Sequence, residues 1–70
     1  MATRADAARA KLDAVLTALT VELNVYMFGN VTRPTHMLAA IGTLITEAAL
    51  AESYWSLAVA EEEEREANEE

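Results

Sequence analysis

Apolar residues in the first part of the chain fall at Ala5, Ala8, Leu12, Val15 with Leu16, Leu19, Leu23, and Tyr26 with Met27, in alternating steps of three and four. Such steps return to one side of a helix at each turn, so the spacing predicts an amphipathic helix over about residues 4–28. Asp6, Asp13, Thr17, Thr20 and Asn24 fall on the other side, where water solvates them.

The pattern breaks between Phe28 and Pro34. Gly29 or Asn30 can take the left-handed conformation that closes a helix, and proline disfavours helix at the residue before it. A turn is expected over about residues 29–33, with Thr32 as N-cap of the next helix and Pro34 in its first turn. Thr35 is the second candidate for that cap.

Helix two then carries Met37, Ile41, Leu44, Ala48, Ala51, Trp55 and Ala58 in strict steps of four and three, the signature of a coiled-coil-like seam. Leu38, Ile45 and Val59 run along one flank of that seam; Leu50, Tyr54 and Leu57 run along the other. Between Pro34 and Ala60 only Glu47 and Glu52 carry charge. Two helices joined by so short a link pair antiparallel, and the expected fold is an all-α two-helix hairpin over residues 1–60.

A helix in a lone hairpin has one neighbour and can bury one stripe, yet helix two is apolar over nearly twice that width. The excess predicts self-association, most simply a homodimer forming a four-helix bundle. Ala48, Ala51 and Ala58 are small enough to let a partner helix close around Trp55 and Tyr54. Together with Leu38, Ile41, Ile45, Leu50 and Leu57 they make the expected interface with a second copy or an unidentified protein partner.

Composition agrees: 53% of residues are apolar and fifteen are alanine, a mixture that favours helix over disorder. At 70 residues a single core seldom supplies more than about 3–5 kcal/mol, and no cysteine is present to staple it, which again favours association. The missing cysteines, and an N-terminus without the basic-then-apolar order of a secretory leader, fit a cytoplasmic protein.

The formal charge of −7 is uneven, because residues 61–70 alone hold seven glutamates against Arg65. Direct nucleic-acid binding is disfavoured, since it rests on clustered Lys and Arg. The extension is expected to be helical or frayed, and Glu47, Glu52, Glu61, Glu62, Glu63 and Glu64 form an acidic rim beside the apolar flank. Antiparallel pairing brings Arg4 within a turn of Glu61 and Glu62, and Arg9 and Lys11 near Glu52. Such pairing offsets the unfavourable placing of cations at the start of helix one and of carboxylates at the end of helix two.

No constellation for chemistry is present. Glu22, Glu47 and Glu52 lack the Glu-x-x-His partners of a di-metal bundle, and the lone His36 sits near the turn as a surface residue. Ser53 and Ser56 have no activating group, so no catalytic, metal or cofactor role is expected. Membrane insertion is disfavoured because neither helix offers 20 clean apolar residues.

These features point to a non-enzymatic interaction protein, a regulator or inhibitor that works by occlusion. A groove around Leu50, Tyr54 and Leu57, rimmed by carboxylates, suits a surface that is apolar at its centre and basic at its edge. Small size, alanine richness and absent catalytic groups fit a phage or mobile-element origin. The alternatives are an acidic nucleic-acid mimic and, behind it, a membrane-active hairpin.

Overall fold

The structure, a computed structural model, describes residues 2–69 and consists of two antiparallel helices, α1 (Arg4–Phe28) and α2 (Pro34–Glu69). Extents of 57 × 19 × 13 Å make it a rod one helix deep. With 36 residues against 25, α2 outruns α1 at the open end, and beyond Glu62 the side chains through Asn68 are exposed. The acidic extension is therefore a continuation of α2 through Glu69; Glu70 lies outside the described residues.

α1 starts with a capping box. The Asp6 N–H donates to Thr3 Oγ1 and the Thr3 N–H donates to Asp6 Oδ2, both at 3.1 Å, which satisfies two amides that the first helical turn leaves unpaired. Asp6 also places negative charge at the positive end of the helix dipole.

The turn differs from expectation in two respects. Gly29 closes α1 in extended backbone, with φ −90° and ψ 177°, and no described residue takes a positive φ. Glycine is required there for space: its N–H donates to the Val25 carbonyl at 2.8 Å, and an added Cβ would come within 2.6 Å of that same oxygen. Neither Thr32 nor Thr35 begins α2. Pro34 is its first residue, where a missing N–H costs nothing, and the Arg33 carbonyl accepts from the Met37 N–H at 3.1 Å. Arg33 thus holds the N-cap position, although its side chain has no acceptor to offer.

The seam joins Ala5, Leu12 and Val15, all buried, to buried Ile41, Ala51 and Ala58. Half-buried Ala8, Leu19, Glu22 and Tyr26 continue it on α1, and Met37, Leu44, Ala48, Trp55 and Glu62 continue it on α2. The α2 seam follows the spacing read from the sequence. On α1, Glu22 takes the place expected of Leu23, and Leu16, Leu23 and Met27 turn outward.

Two substitutions separate close approach from backbone freedom. Gly29→Ala lowers unfolding free energy by about 1–3 kcal/mol, because the obstructing atom is a helix carbonyl that cannot swing away. Gly42→Ala raises it by about 0.5–1 kcal/mol, since a Cβ there meets nothing within 4 Å and glycine is a poor helix former. Urea denaturation followed by circular dichroism measures both.

Candidate functional site

The small-residue stripe that the sequence offers to a partner helix is closed by α1 of the same chain. Ile41, Ala51 and Ala58 are buried in the seam, and Ala48 and Trp55 are half-buried there. Leu38, Ile45, Leu50, Tyr54 and Leu57 remain exposed, so the surface available to another polypeptide is the two flanks of the hairpin.

Heptad arithmetic sorts those flanks into two faces. Arg4 and Glu61 meet at 3.0 Å across one of them. Lys11, Ala18 and Val25 repeat Arg4 at intervals of seven, as Tyr54 and Glu47 repeat Glu61, so they share this face. A shallow groove lined by Lys11, Glu47, Leu50, Ala51 and Tyr54 lies on it. Val21 and Phe28 on α1, and Leu50 and Leu57 on α2, sit one position further out. This Tyr54 face shows the largest apolar exposures: Phe28 is 78% accessible and Tyr54 66%.

The opposite face carries Leu16, Leu23, Leu38 and Ile45 in the half nearer the turn. Toward the open end it becomes polar. The Arg9 guanidinium lies 5.1 Å from the centre of the Trp55 ring and donates to Asp13 at 2.9 Å, while Glu52 accepts from Ser56 at 2.7 Å. Arg9 thus pairs along its own helix and over tryptophan on the face it shares with Glu52, whereas Lys11, also expected near Glu52, lies on the Tyr54 face.

Five hydroxyls are satisfied locally. Thr17, Thr20, Thr43, Thr46 and Ser53 each donate their hydroxyl to the carbonyl four residues back. Glu22, Glu47 and Glu52 are not brought together: Glu22 is on the seam, Glu47 on the Tyr54 face and Glu52 on the other. Among the described residues no cluster of three metal-ligating side chains forms. Glu62 ends the seam beside Thr3, Arg4, Glu61 and Arg65, with one buried carboxylate oxygen unpaired among protein groups.

Val21 and Val25 were not legible as surface-forming residues from the first apolar stripe. Their signal is a second one, Ala14, Ala18, Val21, Val25 and Phe28, again in steps of four and three. No family model, curated protein or solved structure matches this chain.

Glu22 tests whether a seam carboxylate does more than tolerate its place. It is half-buried between the Leu19 and Tyr26 layers, so Glu22→Leu extends the apolar seam and raises unfolding free energy by about 1 kcal/mol in a denaturant titration.

Proposed function

We propose that this chain is a non-enzymatic association module that pairs with itself and covers the surface of another protein, as a regulator or inhibitor acting by occlusion. The carrying observation is unspent apolar surface. A compact protein of 7.6 kDa exposes roughly 4300 Å², whereas this hairpin exposes 5404 Å². Eleven large apolar side chains contribute to that area, arrayed along two faces of a rigid rod. Contiguous apolar surface of this kind marks interaction sites.

The charged overhang suits the same reading. It presents carboxylates at one end of both faces, where they steer encounters with a basic rim and discourage wrong partners. Consecutive Glu61, Glu62, Glu63 and Glu64 step around the helix rather than along one line, which is a poor copy of a phosphate strand. No helix among the described residues is long and apolar enough to cross a membrane.

Light scattering at micromolar concentration tests the self-association half, with an expected particle mass at least twice the 7.6 kDa of one chain. A monodisperse single chain would remove it. For the partner, binding led by apolar contact persists from low to moderate ionic strength and survives deletion of residues 61–70. Loss under both conditions would indicate carboxylate mimicry instead.

A further inference from the structure

Resting on the reading of the chain as an association module, we infer that the occupant of the Tyr54 face is a second copy, docked with both turns at the same end. Each α1 then lies antiparallel against the α2 of the other copy. Three observations select this arrangement: area, steric fit and charge.

The surface in excess of a compact chain is about 1100 Å², close to the roughly 800 Å² per partner that a stable interface removes. Covering one face suffices.

Steric fit follows from the register that Arg4 and Glu61 set. Counting from that pair, Val25 is level with Ala40, and Ala14 and Ala7 fall within one residue of the levels of Leu50 and Leu57. A twofold axis along the rod preserves those levels between copies, so Leu50, Leu57 and Val25 of one copy each meet an alanine of the facing helix. That alternation is what a close-packed helical layer needs. Lys11, level with Tyr54, comes to lie over its ring.

Charge decides orientation. On this face the α1 edge is basic, with Arg4 and Lys11, while the α2 edge is acidic, with Glu47 and Glu61. Docking α1 on α2 joins opposite signs. The other twofold arrangement sets α1 antiparallel on α1 and α2 on α2, which carries Arg4 and Lys11 away from the carboxylates of the other copy and brings the two Glu47 side chains within about one turn of each other. The same test rejects the Ile45 face, where Asp13 would meet Glu52 of the second copy at one level. The acidic overhangs fall at diagonal corners, roughly 11–14 Å apart for usual helix spacings. That exceeds the Debye length of about 8 Å at physiological salt, so their repulsion is largely screened.

Paired substitutions on the two faces test the assignment. Tyr54→Arg places a cation against Lys11 of the other copy and weakens dimerisation at least tenfold by sedimentation equilibrium. Ile45→Arg, at an exposed α2 site on the other face, leaves it within twofold of the parent. The reverse result, or equal effects of both, overturns the choice of face.

Because a freed hairpin could lose helix, orientation is read independently by disulfide formation in a chain with no cysteine of its own. Mixed Ala14→Cys and Leu50→Cys proteins form the heterodisulfide in preference to either homodisulfide. Predominant homodisulfides would overturn the arrangement while leaving self-association intact, and a parent that never dimerises would remove both.

Discussion

Two helices can give each other only one neighbour apiece, and the rest of this molecule follows from that limit. Among the described residues the seam buries six apolar side chains, three of them alanines, and fully encloses no large one. Alanine lets the helices approach closely but withdraws little apolar area from water, so close packing here does not make a large core. Leu50, Tyr54, Leu57 and Phe28, which could have built one, stand exposed on the flanks instead. Among the described residues only three larger side chains, Leu12, Val15 and Ile41, are buried in the seam, and more large apolar side chains stand exposed than buried, the opposite of what isolated stability would favour.

Electrostatics at the open end reinforces that division. Arg4 sits in the first turn of α1, where its charge opposes the helix dipole, and α2 ends in carboxylates with no basic residue in its last turn. Each is unfavourable on its own helix. Brought together at 3.0 Å, one cation and one carboxylate offset part of both penalties, though the pair is exposed and weak. The contact matters more as a register pin than as a source of stability. At the other end Arg33 occupies an N-cap position that Asp or Ser would fill better.

The all-α hairpin, the position of the turn and the α2 seam were legible because a strict four-three spacing leaves one choice of face. Helix one was harder, since Val15 with Leu16 and Tyr26 with Met27 put apolar residues on adjacent positions. Hydrophobicity alone cannot choose between such neighbours; the geometry of a single partner does, and it admits Glu22 in preference to Leu23. The Thr3 and Asp6 capping box is written in the sequence as a Thr and an acid three residues apart, a signal that the apolar stripe does not carry. Gly29 suggested a left-handed cap, and what it supplies is the absence of a Cβ beside Val25. As for the interface residues, sequence shows that helix two is too wide for one neighbour. It cannot show which of its stripes α1 will take.

The overhang of α2 is the feature whose local energetics are least favourable, and that bears on why it is helical at all. Beyond Glu62 no side chain through Asn68 is covered, and Glu62 and Glu66 stand one turn apart with like charge. Against this, Arg65 lies one turn from Glu61, at the favourable spacing for opposite charges. A helix held up mainly by the body it extends keeps its carboxylates at a fixed distance from the apolar faces. A disordered acidic tail of the same composition could fold back across them. Rigid negative charge at one end also opposes end-to-end and staggered contacts between rods, while side-by-side docking along a face leaves it in solvent. Under the pairing proposed above, the extension favours closed association over open growth, the hazard of two exposed apolar faces on one short rod.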